Sequence, residues 1–310
     1  MSLDPQVQGL LDAFKAQGLK SFEQMTVPES RETAMAFVGL EGDEEAVADV
    51  SNHRVPVKGG DIAVRIYRPA GAGPHPMLVY FHGGGFVFGN LDLVDKVARS
   101  LCNAANAAVV SVDYRKAPEH PYPTAPEDAY AGLVWARENA AKLGLDPARI
   151  AVAGDSAGGN LAAVVSQMAR DRKGPKIIHQ VLVYPVTDAA GDYPSRKENA
   201  EGYLLTQGAM QWFFGHYLTQ PAQASDAYVS PIKGDLKGLP AATVITAGYD
   251  PLRDEGDAYA KALAKAGVSV DHVPNPTMIH GFFWMKGVIG HTQSIYDRVG
   301  RNLKAAFGTA

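Results

Sequence analysis

Short, mostly apolar runs punctuate the chain at Met77 to Phe81, Ala108 to Val112, Ile150 to Ala153, Val181 to Tyr184 and Thr243 to Thr246. Runs of this length without polar alternation predict strands covered on both faces. Helix-period segments separate them, among them Val94 to Ala105, Thr124 to Lys142 and Gly159 to Met168. Val268 to Val273 closes the series as a last strand. Before the first run, His53 to Val57 and Asp61 to Arg68 flank Gly59-Gly60. That is a hairpin signal, and its alternating residues predict a half-exposed antiparallel edge. The sum is α/β, a mostly parallel sheet of eight strands with helices on both faces.

Two stretches do not fit that alternation. Residues 4 to about 50 carry no strand pattern. Val7, Leu10, Leu11 and Phe14 predict one amphipathic helix, and Glu29 to Leu40 predicts another through Ala34, Met35, Phe37 and Val38. Helices without a sheet of their own must pack on something else, so a helical cap is expected. Acidic Glu41 to Glu45 reads as a solvated turn. More than fifty residues separate Tyr184 from Ala242, too many for a plain crossover. Within them, Met210 to Tyr217 is aromatic and helix-like, and Asp188 to Tyr228 is expected as a cap insert. The expected division is 1–50 (cap helices), 51–187 (first part of the core), 188–228 (cap insert) and 229–310 (second part of the core).

Composition narrows the field without naming a chemistry. The chain has 310 residues, 46% hydrophobic and 20% charged, ample for a large core. A net charge of −4 and no Lys/Arg block argue against nucleic acid as partner. The single cysteine, Cys102, excludes an internal disulfide and a cysteine metal cluster, and reads as a small apolar residue on a helix face. The first residues lack a basic region and an apolar core, so no signal peptide is expected. No run approaches the roughly 18–20 apolar residues of a membrane span. A cytoplasmic protein is expected.

The chemistry gathers around Gly154-Asp155-Ser156-Ala157-Gly158. Alone, G-x-S-x-G is an ordinary glycine-rich turn as readily as a site. Here a strand precedes it and a helix follows, the context in which the motif lifts a serine hydroxyl above a sheet. The glycines are needed because side chains two positions either way would strike neighbouring backbone. The Ala157 N–H at the helix start is a ready oxyanion donor. A serine nucleophile needs a base, and the base an orienting acid, in the chain order Ser, Asp or Glu, His. His280 lies between the last strand and the terminal helix, whereas His272 falls in a strand pattern and His291 in or just before that helix. Asp250 follows the strand Thr243 to Thr246; Asp188, one strand earlier, is its competitor. Asp254 and Glu255 fall at a helix start, where carboxylates meet the helix dipole, and are supporting residues. Asp155, beside the nucleophile, is also expected to support.

After the strand Met77 to Phe81 comes His82-Gly83-Gly84-Gly85, whose glycines let backbone approach a substrate closely. Gly83 and Gly84 are expected to donate N–H groups to an oxyanion, with Ala157 third. His82 is expected to brace this loop. Phe86, Tyr203, Leu204, Leu205, Trp212 and Phe213 are candidates for a substrate pocket.

Four motifs in this order, His82-Gly83-Gly84-Gly85-Phe86, Gly154 to Asn160, Asp250-Pro251-Leu252-Arg253-Asp254-Glu255 and His280-Gly281-Phe282, resemble the hormone-sensitive-lipase-like bacterial carboxylesterases of the α/β-hydrolase fold. A fifth, Asp113-Tyr114-Arg115-Lys116-Ala117-Pro118-Glu119-His120, is similar to the family's D-Y-R-L-A-P-E-H with Lys116 in place of Leu. The similarity covers about Val55 to the C-terminus. The resemblance implies hydrolysis of short- to medium-chain acyl esters, small molecules, with no cofactor and no metal. It also implies a cap built from the N-terminal helices and the insert, and homodimers formed through the last strand, Val268 to Val273. An amidase or lyase on the same framework, or a ligand-binding protein without turnover, are the rival readings.

Overall fold

The apolar runs do fold as strands covered on both faces. The structure, a computed structural model, describes residues 2–309. Met1 and Ala310, the outermost positions of the expected division, lie outside the described residues. One sheet contains β1 (Asp49–Val57), β2 (Gly60–Arg68), β3 (His75–Phe81), β4 (Ala108–Asp113), β5 (Leu145–Asp155), β6 (Ile177–Val183), β7 (Ala241–Tyr249) and β8 (Val270–Ile279). Their order across the sheet is β1-β2-β4-β3-β5-β6-β7-β8. β2 runs antiparallel to β1 and β4, and all other neighbours are parallel. Leu78, Val79, Val109, Val110 and Val152 in its centre are sealed from solvent.

The α-helices among the described residues are α1 (Pro5–Ala16), α2 (Val27–Met35), α3 (Asp95–Ala105), α4 (Thr124–Glu138), α5 (Ala140–Leu143), α6 (Ala157–Asp171), α7 (Pro194–Glu198), α8 (Gln207–Tyr217), α9 (Arg253–Lys265) and α10 (His291–Phe307). α3 packs on α10 and α4 packs on α6, each pair against the sheet. The segment expected as one helix over Thr124 to Lys142 breaks at Asn139, whose side-chain amide donates to the Trp135 carbonyl at 2.9 Å. Glu29 to Leu40 also divides. α2, started by a Thr26–Glu29 capping box, tightens into a 3₁₀ turn over Ala36–Leu40 that buries Phe37.

The acidic stretch is solvated only at Asp43 and Glu44. Glu41 is buried, and Glu45 pairs with Lys286 and takes hydrogen bonds from Ser100 and Asn103. The chain is drawn inward here because Gly42 meets Gly287 backbone to backbone, and Lys96 Nζ donates to the Gly42 carbonyl at 2.7 Å. Other bonds tie the N-terminal segment to the C-terminal end of the chain. Asp4 N donates to Thr277 O (3.1 Å), Gly287 N to Leu40 O (2.9 Å) and Gly290 N to Gln6 Oε1 (2.8 Å).

Between β6 and β7 the chain leaves the sheet and builds α7 and α8. This excursion meets the N-terminal segment. Thr206 Oγ1 donates to Glu23 Oε1 (3.0 Å), and the Phe22 and Phe213 rings lie 5.5 Å apart. The last two strands run further than their apolar patterns indicated. β7 reaches Tyr249 and β8 reaches Ile279, so Asp250 and His280 follow directly on strand ends.

Candidate active site

Ser156 sits at the apex of the β5–α6 turn with φ 55° and ψ −119°, a strained conformation for a residue with a side chain. Two glycines make it possible. A Cβ on Gly154 would lie 2.1 Å from the Gly158 carbonyl oxygen, and one on Gly158 would lie 1.9 Å from that of Phe81. The Ser156 N–H is fixed from the other side by the Val183 carbonyl at 2.9 Å.

The elements bring the three predicted side chains into one chain of contacts. His280 Nδ1 donates to Asp250 Oδ2 at 2.7 Å. That leaves Nε2 as the acceptor facing Ser156 Oγ, 3.0 Å away. Asp250 is fully buried, and its other oxygen accepts the Leu252 N–H at 2.8 Å. Asp188, the competing acid, makes no such contact. Its Oδ2 accepts the Tyr193 hydroxyl (3.0 Å) and lies 3.2 Å from Lys233 Nζ.

The glycine loop departs from expectation by one residue. Gly83 N–H is already committed, donating to Asp155 Oδ1 at 3.1 Å. Gly84 and Gly85 (φ 118° and 59°) are the loop glycines that line the cavity above Ser156. Of the three loop glycines, Gly83 is thus turned to Asp155, while Gly84 and Gly85 stand beside the cavity. The cause is the buried carboxyl beneath the loop. Asp155 Oδ1 also takes the Tyr80 hydroxyl at 2.5 Å, and desolvation pushes its pKa up to about 6 against the pull of those hydrogen bonds and of His280. His82 braces the loop as expected. Its Nδ1 donates to Gly83 O (2.7 Å), its carbonyl accepts the Tyr114 hydroxyl (2.8 Å), and its ring stacks on Tyr114. Ala157 opens α6, so its N–H is among the donors that a first helical turn leaves unpaired.

Comparison with known proteins accords with this geometry. A family model described as alpha/beta hydrolase fold matches residues 78–284. The chain belongs to the α/β-hydrolase fold family. Within that family it is 42% identical over 291 residues to a carboxylic ester hydrolase, LipN, of Mycobacterium tuberculosis, covering 91% of this chain and 77% of the relative. It is 36% identical to an ethyl acetate hydrolase of Pseudomonas putida, covering 93% and 94%. Among solved structures, a hyperthermophilic esterase from Pyrobaculum calidifontis superposes with a TM-score of 0.94 at 41% identity, covering all of both chains.

Most of this α/β-hydrolase's cavity wall comes from outside the sheet. Phe86, Leu204, Leu205 and Phe213 line it as expected. Tyr203 and Trp212 do not. Tyr203 packs on Tyr249 (centroids 4.9 Å apart), and Trp212 packs on His216 (4.5 Å). For Trp212 the reason is helical geometry: Met210, Phe213 and Phe214, at i, i+3 and i+4 spacing on α8, share the face toward the cavity, and Trp212 lies off it. Phe22, Phe37, Phe88, Met210 and Phe214 line the cavity and were missed. Phe88 stands two positions after Phe86 in an apolar loop and could have been found. Phe22, in a 3₁₀ turn, carries no periodic signal.

Glu255 is not a residue of the helix dipole alone. It is fully buried, and it pairs with Arg196 of α7 at 2.6 Å. Lys116, the departure from the family pattern, lies away from the cavity and is held by Asp113 and the Tyr114 carbonyl.

Proposed function

We propose that this chain is a serine carboxylesterase that cleaves short- to medium-chain acyl esters through Ser156, His280 and Asp250. The carrying observation is the unbroken contact from Ser156 Oγ through the imidazole to the Asp250 carboxylate at the base of an apolar cavity. Ser156 Oγ attacks the ester carbonyl while His280 Nε2 takes its proton. Asp250 holds the imidazole tautomer and stabilises the imidazolium. The Gly84, Gly85 and Ala157 N–H groups receive the oxyanion. His280 returns the proton to the departing alkoxide, alcohol leaves, and water repeats the sequence on the acyl-enzyme.

We read the N-terminal segment and the 188–228 insert together as a cap, since Phe22 of one and Phe213 of the other meet over the cavity. The cavity's free space, about 80 Å³, falls well below the roughly 300–1,000 Å³ of drug-sized pockets, which favours small acyl groups. The ethyl acetate hydrolase likeness points the same way. β8 forms a sheet edge where a second copy could pair. Among the described residues, no helix is long and apolar enough to cross a membrane.

Incubation with a fluorophosphonate, followed by peptide mass spectrometry, should place the adduct on Ser156. Aryl acetates and butyrates should be turned over faster than long-chain esters or anilides. A Ser156→Ala protein with wild-type turnover would reject the scheme.

A further inference from the structure

The turn that carries Asp250 is held from the cap as well as from the sheet. Three of its carbonyls accept hydrogen bonds from α7 and the residue that follows it. Asn199 Nδ2 donates to Asp250 O (3.2 Å) and Gly248 O (3.4 Å), and Ser195 Oγ donates to Pro251 O (2.8 Å). The contact is reciprocal, because Ser195 N donates to Asp254 Oδ2 (2.8 Å) and Asp254 N to Ser195 Oγ (3.2 Å). Arg253 reaches back to Glu198 at 2.7 Å.

Beneath this contact lies one buried anchor. Arg196 donates through Nε and Nη2 to Glu255 Oε2 (3.2 and 2.6 Å), through Nη2 to Asp188 O (2.5 Å) and through Nη1 to Gly191 O (2.6 Å). Glu255 Oε1 accepts the Thr187 and Asp188 N–H groups at 2.8 and 3.2 Å. A single carboxylate on α9, just after the acid turn, thus gathers both the start of the insert and its first helix. Buried carboxylates are costly unless satisfied in this way. The strand end has no slack on its other side, where a Cβ on Gly248 would lie 2.1 Å from the Pro276 carbonyl oxygen.

We propose that Asn199, with Ser195 and the Arg196–Glu255 pair behind it, is the positioning element for Asp250, so that the seating of the cap sets the alignment of the acid against His280. The inference rests on the triad reading given above. The cap then does two separable things: its α8 and N-terminal aromatics shape the cavity, and α7 with Asn199 tunes turnover. Displacing a reacting group by about 1 Å can cost on the order of 10²-fold in rate, so a lost carbonyl contact on the acid's own residue should be visible in kcat.

The test is a double-mutant cycle on purified, folded protein. Asn199→Ala, which removes no charge, should lower kcat about tenfold by the same factor for aryl esters of every acyl length, with KM within about twofold. Arg196→Lys should give a smaller loss of the same kind. In an Asp250→Asn background, Asn199→Ala should cost nothing further, because the group through which it acts is gone. Wild-type kcat in Asn199→Ala would overturn the inference. So would an equal loss in the Asp250→Asn background, or a loss confined to KM or to long acyl chains. Asp250→Asn retaining wild-type turnover would instead reject the triad reading itself. A silent Asn199→Ala beside an inactive Asp250→Asn rejects the positioning role alone.

Discussion

The proposed nucleophile, Ser156, and its proposed acid, Asp250, are held by different parts of the molecule. Ser156 is locked within the core: Gly154 and Gly158 are pressed on neighbouring backbone, and Val183 fixes its N–H. Asp250 follows directly on β7, with its turn bonded to Ser195 of α7 and to Asn199 just after it. The first is held by core backbone alone, whereas the turn of the second also depends on bonds from Ser195 and Asn199. The two residues are thus anchored by different layers of the chain.

The strongest way to break this contrast is Gly158→Ala. Its Cβ has no place to go, so the β3 end and α6 must part. The expected cost exceeds about 4 kcal/mol, in the range seen only for severe core damage, read as a fall of roughly 6 °C or more in Tm. A tolerated alanine would mean that the core is not the rigid side.

In the N-terminal segment Glu41 is buried, and desolvation pushes its carboxyl up to about 9 against the pull of Lys96. The folded pKa lies above the unfolded value of 4.5. This stabilising contribution is therefore complete below pH 4.5 and is lost as pH rises through about 9. Glu41→Gln should add on the order of 2 kcal/mol at pH 8 and almost nothing at pH 5. Thermal unfolding at both values checks this. An equal gain at both would mean that the carboxyl does not titrate in this window.

A smaller effect sharpens the core side. Tyr80→Phe removes the hydroxyl that holds Asp155 beneath the glycine loop. Turnover should fall about tenfold at nearly constant KM, short of the 10²–10³ attached to losing an oxyanion donor itself. Steady-state kinetics on one aryl ester suffices. Smallest is Phe213→Ala, which opens the cavity roof without touching either anchor. The preferred acyl chain should lengthen, with kcat/KM for hexanoyl over acetyl esters rising several-fold, as one or two extra methylenes allow. A panel of acyl lengths reads it out, and an unchanged ranking would place the selective wall elsewhere.

How much of this was legible differs between the same two regions. The core strands announce themselves as apolar runs, and the Gly154–Gly158 turn needs glycine for reasons visible in its spacing. Asp250 and His280 were singled out by chain order and by their places after the last two strands, and the fold brings both into contact with Ser156 or with each other. Which loop glycines stand beside the cavity could not be read that way, because it depends on Asp155 claiming Gly83, a contact across 72 positions. The cavity roof was half read for a similar reason. Helical period on α8 does not say which of Trp212 and Phe213 looks inward until the partner, Phe22, is known. The burial of Glu41 hid behind its acidic neighbours; local charge suggested solvent, while the meeting of Gly42 with Gly287 decided otherwise.

The bonds from Asp4, Gln6 and Leu40 to Thr277, Gly290 and Gly287 carry a consequence for how the chain is made. The N-terminal segment is synthesised well before residues 277–290, the partners to which it bonds. Contacts so distant along the chain form late because a long loop must close first. Until then α1 lacks those partners, and the cavity lacks the part of its wall that Trp284 and Met285 supply. A nascent chain halted before residue 270 would hold the Gly154–Gly158 turn but neither His280 nor β8, the strand to which Asp4 bonds.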